Sequence, residues 1–174
     1  MTRFEIRTKR LVLTPLGPAF LDTVNEYAMD LENTRYMLHL PNESPEETLA
    51  FLQNAEAEWA KERPAFFEFA MLCESRHIGA ASLYLEDGAG ELGWIVNKRY
   101  WGHGFAYEAA QAIIDHFTSR NGITRFVAHC DAANTASFKT MEKLGMRRTG
   151  EYGGRQNRSA THSSFEYQYE LSIV

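Results

Sequence analysis

Apolar and polar positions alternate and cluster along this chain in a way that predicts most of its elements. Ile6, Leu11 and Leu13 stand among polar neighbours between residues 4 and 15, which suits a first strand ending at Pro15. Phe20, Val24, Tyr27, Ala28 and Leu31 fall on one face of a helix running from Phe20 to Leu31. Ser44-Pro45-Glu46-Glu47 sets a capping hydroxyl, a first-turn proline and a third-position carboxylate in order, so a second helix begins there. It should run to about Arg63, because Pro64 cannot continue it. Phe67 to Cys73, Ile78 to Leu85 and Glu91 to Val96 read as strands, with Asp87-Gly88 turning the chain before the last of them. Ala106, Ala109, Ala110, Ile113, Ile114 and Phe117 recur at helical spacing, and Asn121-Gly122 ends that helix. Arg125 to Cys130 is a strand, Asn134 to Leu144 a helix closed by Gly145, and Phe165 to Ile173 a final strand. The order β-α-α-β-β-β-α-β-α-β-β, hairpins first and a crossover helix later, predicts an α/β protein with a mixed sheet flanked by helices.

Composition narrows the class. The 174 residues show no repeat, low-complexity segment or linker, so residues 1–174 are read as one domain. With 44% hydrophobic and 24% charged residues the chain is not globally disordered. No apolar run approaches the roughly 20 residues of a membrane span, and the first residues do not resemble a signal peptide. Cys73 and Cys130 are too few for a disulfide framework and lack metal-ligand spacing. Cytoplasm is the simplest location. A net charge of -5 argues against a broad nucleic-acid surface. It also means that any polyanionic ligand needs local donors and cations to overcome the repulsion of the whole chain.

Such a concentration lies in Arg99-Tyr-Trp-Gly102-His103-Gly104-Phe-Ala106, between a predicted strand and the clearest predicted helix. A helix start offers unbonded N–H groups and a partial positive charge, and glycines let phosphate oxygens approach the backbone. Lys98, Arg99 and His103 stand beside it. The alternative is that Gly102 and Gly104 only make a tight turn. The dinucleotide fingerprint G-x-G-x-x-G fails, since its third glycine falls on Tyr107, and no Walker loop is present.

Here the sequence resembles a family. Arg99-x-x-Gly102-x-Gly104 matches the R/Q-x-x-G-x-G/A signature of the GNAT superfamily of N-acetyltransferases. The wider Tyr-Trp-Gly-His-Gly-Phe-Ala-Tyr-Glu-Ala, the stretch Asn134-x-x-Ser137 with Met-Glu142-Lys143-Leu144-Gly145-Met, and Thr8-Lys-Arg10-Leu11-x-Leu13 are similar to its Rim branch, the ribosomal-protein alanine acetyltransferases. The resemblance covers nearly the whole chain. It implies a mostly antiparallel mixed sheet of six to seven strands with about four helices, splayed between its fourth and fifth strands.

It further implies acetyl-CoA as cosubstrate, no metal, and direct transfer of the acetyl group to a primary amine in a ternary complex. The pyrophosphate would sit on backbone amides of Gly102, His103, Gly104, Ala106 and Tyr107, beside Arg99. The pantetheine arm would pair like an extra strand with Ile95 and Val96, whose strand also supplies an N–H to the thioester carbonyl. Two roles are open to Asn134: contact with the cofactor's arm, or capping of the helix it precedes. Ser137 matches the position proposed in that branch as proton donor to the departing thiolate, and is otherwise an ordinary first-turn serine. Lys139 and Lys143 could meet CoA phosphates or be solvated helix charges.

The chain departs from the branch at the general base. Gln156 stands where Rim-type enzymes can carry a glutamate, and an amide cannot take a proton. Glu91, at the start of the strand leading to the glycine turn, is the replacement, directly or through water; positioning alone with bulk water as base is the other route. The scattered His39, His77, His116, His129 and His162 suggest neither a metal site nor an acid–base role, and Cys130 is read as a core thiol. The acceptor side should be bounded by Arg35 to Asn42 and by Tyr152 to His162, the latter a mobile loop. The acceptor would be a protein N-terminus or a small amine, and dimers are frequent in the superfamily. A non-catalytic acyl-CoA-binding sensor is the competing class.

Overall fold

In the computed structural model, which describes residues 4–174, eight strands form one sheet in the order β1-β2-β3-β4-β5-β6-β8-β7. The strands are β1 (Ile6–Arg7), β2 (Leu11–Pro15), β3 (Phe66–Cys73), β4 (Arg76–Glu86), β5 (Ala89–Val96), β6 (Arg125–Asp131), β7 (Arg147–Arg155) and β8 (Ser164–Ser172). All neighbours pair antiparallel except β5 with β6, where the chain crosses over through a helix. The helices are α1 (Leu21–Ala28), α2 (Pro45–Trp59), α3 (Phe105–Asn121) and α4 (Thr135–Lys143).

Side chains of a strand alternate between faces, and the core divides accordingly. Phe69, Met71, Ile78, Leu83, Leu92, Phe126 and Cys130 pack with Ala109, Ile113 and Phe117 of α3 and Met141 of α4. Ala70 and Ala80 turn the other way, onto Val24, Tyr27 and Ala28 of α1 and Leu52 of α2.

Several boundaries differ from the sequence reading. The stretch from 4 to 15 holds two strands, because the Thr8 hydroxyl accepts the Leu11 N–H at 2.8 Å and closes a turn. That gives eight strands where six to seven were expected. The helix read from Phe20 to Leu31 begins as a 3₁₀ turn at Pro18–Phe20 and stops at Ala28, leaving Leu31 68% exposed. The second helix stops at Trp59 because the buried Glu58 carboxylate takes the Ala65 N–H at 2.6 Å and folds the chain back before Pro64. Residues 152–155, read as loop, belong to β7.

Candidate functional site: a glycine turn beside a splayed strand pair

The glycine turn is built by backbone geometry. Gly102 and Gly104 have φ of +80° and +77°, a region that favours glycine. A Cβ added at Gly102 would meet nothing within 4 Å, so the outer side of the turn is open. The α3 ladder begins with the Glu108 N–H on the Gly104 carbonyl at 3.1 Å, and Gly104 offers no side-chain cap. The N–H groups of Phe105, Ala106 and Tyr107 thus lie outside the ladder at the positive end of a 17-residue helix. Polyanion oxygens fit this cradle.

The expected excess of cations beside it is largely neutralised. Lys98 Nζ is 2.8 Å from Asp30 and 3.0 Å from Glu32, and the Arg99 guanidinium lies 3.6 Å from Glu26. Hydrogen bonds from Lys98 hold the Asp30 carboxyl below its usual range. The His103 ring has Nδ1 2.9 Å from the Trp101 carbonyl, which requires a hydrogen on that nitrogen, and it stacks on Phe105 at 5.7 Å. Across α4, Lys143 Nζ sits 4.2 Å above the Tyr107 ring and joins the two helices.

The second half of the site is a gap in the sheet. β5 and β6 pair only at Gly90 with Phe126, Glu91 with Val127 and Leu92 with Ala128. Beyond that point β5 stays with β4 as far as Val96, while β6 follows β8 to Asp131. The opening lies between the ends of these strands, as expected. The Asn97 N–H bonds the Ile78 carbonyl at 2.8 Å, and the β4–β5 register is unbroken. Peptide groups in an antiparallel pair alternate in direction. Those of Ile95 hence face β4, and those of Trp94 and Val96 face the opening. The Val96 carbonyl is already taken, by Asn33 Nδ2 at 2.9 Å and Trp101 Nε1 at 2.8 Å. What the strand end presents is the Val96 N–H and both groups of Trp94, a residue the sequence reading did not name.

On the α3–α4 face of the opening, Asn134 caps α4: its Oδ1 accepts the Ser137 N–H at 3.3 Å. Burial pushes the Cys130 thiol up to about 11, with the Ser137 hydroxyl acting the other way. Cys130 is 3% exposed and is a core thiol, not a nucleophile. Lys139 is exposed on the same helix.

On the opposite face, Glu91 and His129 meet, with Nδ1 2.9 Å from Oε1. The sequence reading gave His129 no acid–base role. The hydrogen bond to Glu91 raises its imidazole above the ordinary range, against the effect of burial. Tyr84, paired in register with Glu91, donates to Glu68 at 2.8 Å, and burial pushes the Glu68 carboxyl up to about 7.

The loops over this face are hydrogen-bonded to one another, and residues 152–155 lie in β7 and not in a loop. Arg155 Nη2 donates to the Tyr36 carbonyl at 2.8 Å, and its other nitrogens contact Asn157 and Glu166. Arg158 binds Glu47 and the His39 carbonyl. Gln156 Nε2 donates to the Ala160 carbonyl at 2.8 Å and so closes its own loop. A cavity of about 400 Å³ between these loops is lined by Arg35, Tyr36, Asp131, Asn157, His162 and Ser164. Among the described residues no group of three metal-ligating side chains comes together, and no helix is long and apolar enough to cross a membrane.

A glycine-lined helix start set beside parting parallel strands is the geometry of a GNAT-type transferase. Residues 10–147 match the model of the acetyltransferase (GNAT) domain, and the chain belongs to the GNAT acetyltransferase family. An uncharacterized N-acetyltransferase of Bacillus subtilis (strain 168), YnaD, is 31% identical over 148 residues, 84% of either chain. A GNAT-family acetyltransferase from Bacillus anthracis superposes with a TM-score of 0.82 at 25% identity, covering 97% of this chain and 98% of that one. RimL, a ribosomal-protein alpha-N-acetyltransferase solved with coenzyme A, superposes at 0.81 over 98% of both chains, with 18% identity. The protein is an acetyltransferase of Rim-like fold.

Proposed function

We propose that this protein moves an acetyl group from acetyl-CoA to a primary amine, a protein N-terminus or a small molecule, by direct attack in a ternary complex. The observation that carries the reading is the parting of β5 from β6 after Leu92, directly ahead of the glycine turn. It leaves peptide groups for an amide-bearing arm and amides for a pyrophosphate in one line, and the solved relative with coenzyme A has the same fold.

On this reading the backbone of Gly102, His103, Gly104, Ala106 and Tyr107 holds phosphate oxygens, with Arg99 alongside. Val96 and Trp94, next to Ile95, bind the arm, and Asn134 and Lys139 border it from α4. A strand N–H polarises the carbonyl under attack. Ser137 gives a proton to the departing sulfur, whose reference pKa of about 8.5 makes protonated departure easier. The amine loses its proton on the other face, where Glu91 stands beside His129. The half-exposed Glu91 carboxylate on that face suits an acceptor that arrives as a cation. Protein location in the cytoplasm accords with both substrates.

Calorimetry with acetyl-CoA tests the reading, comparing the wild type with Gly104→Glu. Micromolar binding lost in the variant is the expected result. Absence of binding by the folded wild type would sink it. The engagement of Gln156 in its own loop leaves that segment without a carboxylate, which favours one competing reading, an acyl-CoA sensor. Tight binding without transfer to any amine is the result that would select it.

A further inference from the structure

Glu91 and His129 lie on neighbouring parallel strands at the point where those strands part. Glu91 is in register with Val127, so His129, two residues on, shares its face of the sheet. It stands one position beyond the last pair, Leu92 with Ala128. Both side chains reach solvent, with 26% and 48% of their surface exposed for His129 and Glu91. The imidazole is held at both nitrogens. Nδ1 is 2.9 Å from Glu91 Oε1, and Nε2 is 3.2 Å from Gln168 Oε1.

The neighbours fix which atoms carry hydrogen. Gln168 Nε2 donates to the Glu170 carboxylate at 3.0 Å and to the Thr149 hydroxyl at 3.2 Å, so its oxygen is the end that faces His129. An ionised carboxylate only accepts, so His129 Nδ1 bears a hydrogen toward Glu91. Two states then remain for Nε2. Protonated, it donates to Gln168 and the row is satisfied. Neutral, its lone pair faces an oxygen lone pair across 3.2 Å, and a donor bridging the two from the side satisfies both. A protonated primary amine is such a donor.

We propose that His129 Nε2 is the base that takes the proton of the acceptor's ammonium group, with Glu91 as the positioning residue that orients the ring and stabilises its charge. This rests on the transferase reading above. The ammonium R–NH₃⁺ loses one proton to the Nε2 lone pair. The products are R–NH₂, whose freed electron pair can attack the carbonyl, and an imidazolium held between Glu91 and Gln168. The proton leaves to solvent at the exposed edge of the ring. The charged and titratable groups facing His129 are Glu91 from β5 and Glu166 from β8, with Tyr84 of β4 beside Glu91. The hydrogen bond to Glu91 favours the imidazolium, as do the charges of Glu91 and Glu166, while burial opposes it. A base shifted upward from about 6.5 is better matched to an α-amino group near 8 than a free carboxylate, with a reference value of about 4.3.

The test is the pH dependence of kcat/KM between pH 5.5 and 10 for the wild type, His129→Gln and Glu91→Gln. The acceptor is a hexapeptide beginning with alanine, or spermidine if the peptide is not turned over. The wild type should rise through one limb and level off, and the pKa of that limb should coincide with the ¹⁵N NMR titration of His129. His129→Gln should lose roughly 10²- to 10⁴-fold near pH 7. Its rate should keep rising toward the pKa of the amine itself, with the acetyl-CoA Kd within about twofold of wild type. Glu91→Gln should keep a plateau at a lower rate, reached at lower pH. Activity of His129→Gln within threefold of wild type on an unchanged limb overturns the proposal and leaves the transferase reading intact. A wild-type limb that does not follow the His129 titration also overturns it, independently of any variant. A wild type that binds acetyl-CoA but acetylates neither amine overturns both.

Discussion

Arg10 grips Glu108 across 98 residues of chain, its backbone N–H 2.8 Å from Oε1 and its Nε 2.7 Å from Oε2. The Thr8 hydroxyl adds a bond to the same carboxylate at 2.6 Å, and Arg10 Nη1 reaches on to the His103 carbonyl at 2.8 Å. Partial burial works against the charge of Glu108, yet these donors hold its carboxyl below the usual range. The turn between β1 and β2 thereby fastens the first turn of α3 and the glycine turn ahead of it. Charge-assisted bonds of this kind contribute about 1.5–3 kcal/mol, less where solvent reaches them. Arg10→Ala should therefore weaken acetyl-CoA binding about tenfold in calorimetry while lowering the melting temperature only a few degrees. Equal coenzyme affinity in the variant would show that the turn holds its shape unaided.

Asn134 caps α4 through the Ser137 N–H. Asn134→Ala should cost about 1 kcal/mol in urea unfolding, and Asn134→Ser should recover most of it. If serine restores stability but not kcat, Asn134 has a second duty at the coenzyme's arm.

Two buried groups pull stability in opposite directions with pH. Burial raises Glu68 from 4.5 to about 7, so between those values the folded chain holds a proton that the unfolded chain has lost, and stability falls as pH rises. The loss is on the order of 3 kcal/mol above that window. Burial lowers His77 from 6.5 to about 4, so stability falls as pH drops through that range. Glu68→Gln should abolish the loss on the alkaline side and leave the acid limb intact, as read by thermal melts from pH 4 to 8.5. A variant that melts in parallel with the wild type across this range would contradict the buried-carboxyl account.

Gly79 faces the end of β5 so closely that an added Cβ would lie 2.3 Å from the Ile95 carbonyl oxygen and 2.9 Å from Val96 Cα. Backbone cannot yield as a flexible side chain can. Gly79→Ala should destabilise by about 2 kcal/mol or more. It should also reduce coenzyme affinity, since the strand end that borders the opening must shift. Unaltered binding would mean that the strain is absorbed in β4.

Thiol chemistry should separate the two cysteines. Cys73 is half-buried, whereas Cys130 is buried and its thiol resists ionisation. Mass spectrometry after brief iodoacetamide treatment at pH 8 should find the label on Cys73. Label first on Cys130 would point to a far more open β6 end.

The parts of this molecule that can be read from sequence are those governed by short spacing. Apolar recurrence marks α3, the Ser44 and Asn134 caps mark two helix starts, and Gly102 and Gly104 mark a turn that proves to need left-handed φ. Leu31 fits the helical spacing but is not helical, because periodicity does not say where a short helix is stopped by its neighbours. The pairing of Glu91 with His129 depends on strand register across 38 residues, which neither local pattern nor motif encodes. Trp94 could have been found, since alternation from any one known backbone bond of β5 decides which peptide groups face outward. Lys98 and Arg99 look like phosphate-seeking cations in sequence, and only the fold reveals that Glu26 of α1 and acidic residues of the loop after it already hold them.

Arg155 and Arg158 tie the segment after β7 to Tyr36, His39 and Glu47, across the cavity proposed to admit the acceptor. Whatever amine this cavity admits, its outline is shared property of two stretches more than a hundred residues apart. A lineage that adopts a different acceptor cannot freely remodel one stretch alone, because loss of Glu47 leaves Arg158 only the His39 carbonyl and the more distant Glu43, and loss of Arg158 leaves Glu47 only the Glu43 N–H. Changes at these two positions should therefore arrive together among relatives, and a library randomising either stretch singly should yield fewer folded variants than one that varies both.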